Sequence, residues 1–327
     1  NPAFSLIAII MIIFLYNLLM SRHIHSTEPE GDVRSSLFVS LAEWAAKRSM
    51  TLPRSHGRAW RPNILIPADN PQEIRGVSEF LREITLPNGS VSILGIDLKN
   101  NEEWLESALT PLVDDFRHEG IYSTWTIVTS DTFHESVLMS IQAMKSGFFG
   151  PNTLFLRRPL TKEQREEIIS ILSDTTSEDL GVVLYISHPR SGLGRRRIIQ
   201  LFIQDATTEW RSGSKGVDFD LALLIAYKLM SNWEAELHLI VQIQDETDED
   251  GVVSSVKDLL EYARISVTHI SAITGSYETY FQHSIEADLN IFSFTGPIDF
   301  SQVESIVRAS KSTCLFCRDS SEENIFA

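Results

Sequence analysis

The chain has 327 residues, a hydrophobic fraction of 43% and a formal net charge of −16. That size and apolar content suffice for one large or two ordinary folded domains and argue against a disordered chain. The negative charge argues against binding to nucleic acid, and the only two cysteines, Cys314 and Cys317, leave no disulfide framework.

An uncharged, apolar run covers residues 3–20 and predicts a transmembrane helix within residues 1–25. As a helix the run would be about 27 Å long, close to the hydrocarbon thickness of a bilayer. A signal peptide would need a basic leader and a cleavage pattern, and a buried helix would need a larger core nearby. Arg22, after the run, places the residues from about 26 onward in the cytoplasm. Because the chain starts at Asn1, we expect a longer parent protein.

Residues 26–59 are predicted to be a linker that contains one amphipathic helix. Apolar residues recur at helical spacing over Arg34–Lys47. Such a helix either packs on the domain that follows or lies on a membrane surface. Basic residues at both of its ends favour the membrane, whereas Asp32 and Glu43 oppose it and favour packing on the domain.

From Trp60 onward, predicted strands and helices alternate to the end of the chain. The predicted strands are Asn63–Pro67, Ser90–Leu98, Tyr122–Thr129, Thr153–Leu156, Gly181–Ser187, Arg197–Gln204, Leu237–Ile243, Val267–Ala272, Leu289–Phe294 and Cys314–Cys317. The predicted helices are Gln72–Glu83, Glu102–Glu119, His134–Lys145, Lys162–Leu172, Leu221–Met230, Val252–Ala263, Tyr277–Ala287 and Phe300–Ser310. This alternation predicts an α/β fold with mainly parallel sheet.

The order of these elements repeats with an offset of about 135 to 145 residues. We therefore predict two tandem halves, residues 60–180 and 181–327. The alternative is that any alternating fold partly superposes on itself, since sequence identity between the halves is low.

The motifs of common catalytic and cofactor sites are incomplete. Gly213–Gly216 lacks the hydroxyl residue of a phosphate-binding loop, and Gly192–Gly194 lacks the third glycine of a dinucleotide fingerprint. An acidic run over Asp245–Gly251 would place Lys257 where a calcium loop requires glutamate. Cys314-x-x-Cys317 lies in an apolar strand pattern, which is typical of buried cysteines. The sequence therefore predicts no enzyme activity, no metal and no cofactor.

One basic cluster stands out in this acidic chain. Its members are Arg190, Arg195, Arg196 and Arg197. They are candidates for binding lipid headgroups or another anionic ligand. The alternative, which we favour, is a solvated start of a strand whose arginines pair with nearby acids.

Three stretches together resemble the cation-chloride cotransporters. They are Trp60-Arg61-Pro62-Asn63-Ile64-Leu65-Ile66, Ser146–Leu154 with its turn Gly150-Pro151-Asn152, and Asp220–Leu229 with the strand from Leu237. The resemblance implies the cytosolic C-terminal domain of a transporter related to amino-acid permeases, in a compact, prokaryotic-like form. It implies two halves similar to universal stress proteins, a homodimer and a regulatory role beside the protein's own transmembrane domain. Trp60, Arg61, Pro62, Gly150, Pro151 and Asn152 are then the candidates for docking.

Two further functions are consistent with the same alternation of strands and helices. A universal-stress-type sensor would bind a nucleotide, although the glycine-rich signature of the ATP-binding members is missing. A membrane-tethered α/β enzyme would carry its site in loops at the carboxyl ends of the strands.

Overall fold

The computed structural model describes most of the chain beyond residue 60 and parts of the segment before it. The described residues are 6–7, 9–14, 33–50, 60–98, 100–145, 147, 149–204, 219–243, 249–320, 322–323 and 325. The chain divides into two compact units, residues 1–55 and 56–327.

The first unit is helical where it is described. Helix α1 (Val33–Met50) contains the predicted amphipathic helix and has an ion pair of 2.6 Å between Lys47 Nζ and a carboxylate oxygen of Glu43. Residues 6–7 and 9–14 are also helical, and their apolar side chains are exposed. In the described parts of the chain, no helix is both long and apolar enough to cross a membrane. Much of the predicted membrane segment, residues 1–25, lies outside the described residues.

The second unit is built on a single sheet of ten strands. They are β1 (Asn63–Ala68), β2 (Ser90–Asp97), β3 (Tyr122–Thr129), β4 (Thr153–Arg157), β5 (Gly181–Ile186), β6 (Ile198–Ile203), β7 (Glu236–Gln242), β8 (His269–Ile273), β9 (Leu289–Ser293) and β10 (Thr313–Arg318). Their order is β3-β2-β1-β4-β5-β10-β9-β6-β7-β8. This order reads as the same five-strand arrangement from either edge, so β1–β5 and β6–β10 are equivalent halves of the sheet.

The two halves meet at a single antiparallel pair, β5 with β10, where Leu315 lies opposite Tyr185. Every other neighbouring pair is parallel. The predicted α/β fold with mainly parallel strands is confirmed. The predicted limits of the halves, 60–180 and 181–327, stay predictions. In the strand order, β5 belongs with β1–β4, although its residues fall within the predicted second half.

Helices follow the strands and cover both faces of the sheet. They are α2 (Pro71–Arg75), α3 (Ser78–Thr85), α4 (Glu102–His118), α5 (Phe133–Met144), α6 (Lys162–Asp174), α7 (Asp220–Trp233), α8 (Glu249–Tyr262), α9 (Tyr277–Phe281) and α10 (Phe300–Ser310). One apolar core packs α2, α3, α4, α7 and α8 on one face, and a second core packs α5, α6, α9 and α10 on the other. The result is a three-layer sandwich with the same helix placement in each half.

Two predicted helices differ from the structure. The helix predicted over Gln72–Glu83 is two helices, because the chain turns at Gly76 and Val77 and the Val77 N–H donates to Ile74 O at 3.0 Å. The helix predicted to reach Ala287 ends at Phe281, after which His283 N donates to Tyr280 O in a tighter turn of 3.0 Å. Both differences arise from local turns that apolar periodicity does not register.

Candidate functional site

The stretches around Pro62 and Pro151, which are far apart in sequence, meet at the amino end of β1. The Asn63 N–H donates to Asn152 Oδ1 at 2.9 Å, and Asn152 Nδ2 donates to Arg61 O at 2.7 Å. Asn63 Nδ2 in turn donates to Gly150 O at 3.3 Å. Each asparagine side chain therefore binds backbone of the other's turn, and the two turns are held together.

The same asparagines extend the sheet to its neighbouring strands. Asn152 N donates to Asn63 O at 3.0 Å, and Gly181 N donates to Asn152 O at 2.9 Å. On the other side of β1, Ser90 Oγ donates to Asn63 Oδ1 at 2.8 Å. We call Arg61, Asn63, Ser90 and Asn152 the amino-end clamp, because together they tie the starts of β2, β1, β4 and β5.

Local sequence chemistry explains why the clamp forms. Pro62 is buried, has no N–H to satisfy, and uses its carbonyl oxygen to accept from Ser90 N at 2.9 Å. Gly150 approaches other backbone closely, since an added Cβ would lie 2.9 Å from Lys145 O. Arg61 has an exposed side chain and contributes to the clamp through its carbonyl oxygen, whereas Pro151 is partly buried.

Trp60, just before the clamp, is partly buried and packs against the core that contains α3 and α7. It lines a cavity of about 370 Å³ with Leu86, Tyr227, Lys228 and Ile325 among its other walls. The indole Nε1 is buried and has no hydrogen-bond acceptor within the described residues. A buried donor without an acceptor is unfavourable by about 1–3 kcal/mol, so this contact is not optimised for stability alone.

Lys228 carries the only ammonium group on the walls of this cavity. It is half-buried on α7, and its Nζ donates to Thr85 O at 3.4 Å. No carboxylate of the described residues lies within 4.0 Å of it, so burial lowers the pKa of Lys228 to about 8. A desolvated ammonium group without a counter-charge is more typical of a binding surface than of a structural contact.

The amino end of α7 is held by a carboxylate. Asp319 accepts from the N–H groups of Asp220 at 2.7 Å and Leu221 at 3.1 Å, as a helix cap does. Burial, with the nearby carboxylates of Glu323 and Asp220, raises the pKa of Asp319 to about 8. Helix α7 is therefore fixed at its start. Farther along the helix, the side chain of Lys228 contacts the first half.

Contacts between α3 and α7 join the two halves on this face. Asn232 Nδ2 donates to Glu83 O at 2.5 Å, and Lys228 Nζ donates to Thr85 O, two residues later. Arg196, from the loop before β6, pairs with Glu79 and lies 5.9 Å above the ring centroid of Trp233. The cavity beside Trp60 thus lies where the two halves meet.

The predicted arginine cluster does not form one site. The backbone N–H groups of Arg195 and Arg197 each donate to the Asp288 carboxylate at 2.7 Å. Gly194 lies so close that an added Cβ would collide with that carboxylate. Arg196 pairs with acids of α3. Arg190 lies apart and lines a different cavity.

No group of His, Cys, Asp or Glu side chains among the described residues is arranged to hold a metal ion. Cys314 and Cys317 are fully buried on β10, and burial raises the pKa of both thiols, so the neutral thiol dominates. The acidic run predicted to be a loop, Asp245–Gly251, lies mostly outside the described residues. A crevice at the carboxyl ends of β1 and β4 is lined by carboxylates and guanidinium groups together, those of Asp69, Glu73, Glu167, Arg157 and Arg158. Arg157 pairs with Glu73.

Comparisons with known proteins decide the family. Family models for the first and second C-terminal domains of prokaryotic cation-chloride cotransporters match residues 66–193 and 194–326. The chain belongs to the prokaryotic cation-chloride cotransporter family. It contains the cytoplasmic C-terminal domain of such a cotransporter, and the resemblance found in the sequence is confirmed.

Solved structures agree with this assignment. The cytoplasmic domain of a prokaryotic cation chloride cotransporter is 34% identical, with a TM-score of 0.73, over 82% of this chain and 99% of that chain. A universal stress protein from Archaeoglobus fulgidus DSM 4304 is 17% identical, with a TM-score of 0.54, over 79% of this chain and 97% of its own. A putative universal stress protein from Pseudomonas aeruginosa UCBPP-PA14 is 13% identical, with a TM-score of 0.52, over 82% of this chain and 97% of its own. The universal stress proteins share the fold only, and no curated protein matches the chain.

Sequence reasoning misses three residues of this cotransporter domain. The pattern predicts Asn63 only as the first residue of a strand, although its position directly after Pro62 is a turn signal. Lys228 is the lone basic residue in the otherwise apolar stretch of α7, and that contrast was the available signal. Asp288 gave no signal, since its role depends on a loop about 90 residues away in sequence.

Replacing Asn152 by alanine removes the side-chain hydrogen bonds of the clamp. We expect Asn152→Ala to lower the free energy of unfolding by about 2–3 kcal/mol, because several bonds are lost and partners stay unpaired. Asn101→Ala is the matched control, since Asn101 is exposed and its side chain does not cap α4. Urea unfolding curves would measure both, and equal losses in the two variants would contradict the clamp.

Lys228→Met should stabilise the protein near neutral pH by about 1 kcal/mol, after allowance for the screening of a half-buried side chain. The folded-state pKa of Lys228 lies below the unfolded value, so the unfolded chain binds more protons between about pH 8 and 10.4. Wild-type stability therefore includes a contribution that rises with pH over this window, and the advantage of the variant disappears above it.

The control is Lys257→Met, which removes an exposed charge from α8. Unfolding free energies at a series of pH values test the expectation. A Lys228→Met variant that is less stable than the wild type at pH 7 would show that the ammonium group contributes a favourable contact.

Proposed function

We propose that this chain is the regulatory and dimerising cytosolic domain of a Na-K-Cl-type cation-chloride cotransporter. In this proposal the domain transports nothing itself and acts on the membrane transport domain by mechanical coupling. The observation that carries the proposal is the amino-end clamp, which ties Arg61 and Asn63 to three further strands at the point where the chain enters the sheet.

Mechanical coupling requires a rigid connection between the membrane domain and the cytosolic domain. The clamp gives the start of β1 several hydrogen bonds within a ten-stranded sheet. Packed sheets of this kind deform little, so a displacement of the body carries the start of β1 with it. Trp60 adds an apolar contact directly before the clamp and against the junction of the two halves.

The dimer in this proposal is supported by an exposed aromatic pair at the edge of the sheet. Tyr122, at the start of edge strand β3, is 52% exposed and Phe149 is 43% exposed. Their ring centroids are 4.5 Å apart. Exposed aromatic side chains that pack together are typical of protein contacts, because they bury much apolar area at a small entropic cost.

The cotransporter family of the chain favours this reading over a membrane-tethered enzyme. A universal-stress-type nucleotide sensor is the second candidate, favoured by the shared fold alone. The missing glycine-rich signature of the ATP-binding members opposes it. Calorimetric titration of the full chain with ATP, ADP and AMP, and with pyrophosphate for comparison, separates the two. A nucleotide sensor binds ATP more tightly than pyrophosphate, whereas the proposal expects no such preference.

The dimer is tested by sedimentation of the full chain in a mild detergent over a range of protein concentrations. We expect a species of twice the chain mass, corrected for bound detergent. A species of one chain mass at the highest concentration would remove dimerisation from the proposal and leave coupling to be tested separately.

Trp60→Ala in the full-length transporter tests the coupling. We expect chloride-dependent cation flux in proteoliposomes to fall severalfold, because the apolar contact beside the clamp is lost while the sheet remains folded. Trp104→Ala is the matched control, since Trp104 is 43% exposed on α4 and is not a residue of the clamp. Unchanged flux in Trp60→Ala at equal protein levels would refute the coupling.

A further inference from the structure

A second cavity, also of about 370 Å³, lies beyond the carboxyl end of β5. The segment that leaves β5 contributes Ile186, His188 and Arg190, and α10 contributes Val307 and Arg308. Arg158, which follows β4, completes the basic part of the wall. The cavity therefore lies beside the antiparallel joint of the sheet and receives residues from both halves.

Three guanidinium groups line this cavity without counter-charges. Arg158, Arg190 and Arg308 are exposed, and no carboxylate of the described residues comes within 4.0 Å of any of them. The one acidic residue of the wall, Glu304, is held by Arg165 at 2.6 Å. In a chain with a formal net charge of −16, three unpaired arginines around one cavity mark a local positive field.

The segment that carries Arg190 is fixed by hydrogen bonds to the start of β10. Ser191 Oγ donates to Lys311 O at 2.8 Å, and Thr313 Oγ1 donates to Gly192 O at 2.5 Å. His188 N donates to Thr313 Oγ1 at 3.1 Å. Arg158 is similarly placed by its N–H, which donates to Tyr185 O at 3.0 Å. The backbone beneath the arginines is thus ordered before any ligand arrives, which lowers the entropic cost of binding.

The composition of the wall indicates the chemistry of the ligand. Guanidinium forks match the oxygen geometry of phosphate and bind it through charge-assisted hydrogen bonds. Ile186, Pro189 and Val307 give the same cavity an apolar side. The volume is at the lower end of that of small-ligand sites, large enough for a phosphoryl group and a few neighbouring atoms.

We propose that Arg158, Arg190 and Arg308 form a binding site for a phosphoryl group at the junction of the two halves. The group belongs either to a soluble phosphate compound or to the headgroup of an anionic phospholipid. This site is separate from the amino-end clamp, and the proposal does not depend on the coupling role. A ligand there would contact β5, α10 and the loop after β4 together, and would stabilise one arrangement of the two halves.

The test is calorimetric titration of the full chain in a mild detergent with three probes. These are inorganic pyrophosphate, a water-soluble short-chain phosphatidylglycerol, and a phosphatidylcholine of the same chain length as the uncharged-headgroup control. Each titration is done with the wild type, Arg190→Ala, Arg308→Ala and Arg195→Ala. Arg195 is the matched control, because it is an exposed arginine of the same loop whose backbone, rather than its side chain, has the bonding role.

We expect at least one phosphoryl probe to bind the wild type and the Arg195→Ala variant alike. Arg190→Ala and Arg308→Ala should each weaken that binding about tenfold or more, since each removes charge-assisted hydrogen bonds. Added salt should weaken the wild-type binding as well. Binding of pyrophosphate assigns the site to a soluble ligand, and binding of phosphatidylglycerol alone assigns it to a lipid headgroup.

Two results would overturn the proposal. One is the absence of binding heat for both phosphoryl probes with the wild type. The other is an equal loss of affinity in Arg195→Ala, which would mean that net charge rather than the cavity determines the binding. Thermal unfolding of each variant shows whether a lost affinity reflects a lost fold.

Discussion

The paired hydrogen bonds of Asn63 and Asn152 are the constraint on which the first half of the molecule depends. Each asparagine uses its side chain on the other's turn and its backbone in the sheet. Because the bonds are made at the amino ends of β1 and β4, they set the register of strands that are about 90 residues apart in sequence. A parallel sheet has no tight hairpin to fix register, so contacts of this kind take over that role.

The second constraint is the antiparallel pair of β5 and β10, which turns two five-stranded arrangements into one sheet. Side chains reinforce that joint on both faces. On one face, Arg196 of the loop before β6 and Asn232 of α7 both bind α3. On the other face, Arg165 of α6 binds Glu304 of α10. The halves are therefore unable to separate without breaking backbone pairing, ion pairs and apolar packing together. Movement of one half is passed to the other, which is what a regulatory body needs.

Much of the fold could be predicted from the sequence because its signals are local. The strand Tyr122–Thr129 and the helix Phe300–Ser310 have the predicted limits, since alternating or helically spaced apolar residues are bounded there by turn residues. The sequence also marks the docking candidates around Pro62 and Pro151, but as two separate motifs. That Asn63 and Asn152 bind each other is a tertiary fact, and no local pattern contains it. The arginines show the same limit, since Arg195 and Arg190 are near neighbours in sequence and have unrelated surroundings in the fold.

In the proposed coupling, movement of the body reaches the membrane domain through the start of β1. The most direct measurement inserts a short flexible glycine–serine segment between Trp60 and Arg61 of the full-length transporter and measures chloride-dependent flux. The same insertion beside Gly275, an exposed loop residue after β8, is the control. We expect the first insertion to lower flux while the domain stays folded, and the second to leave flux unchanged. Unchanged flux after insertion at Trp60 would refute the coupling.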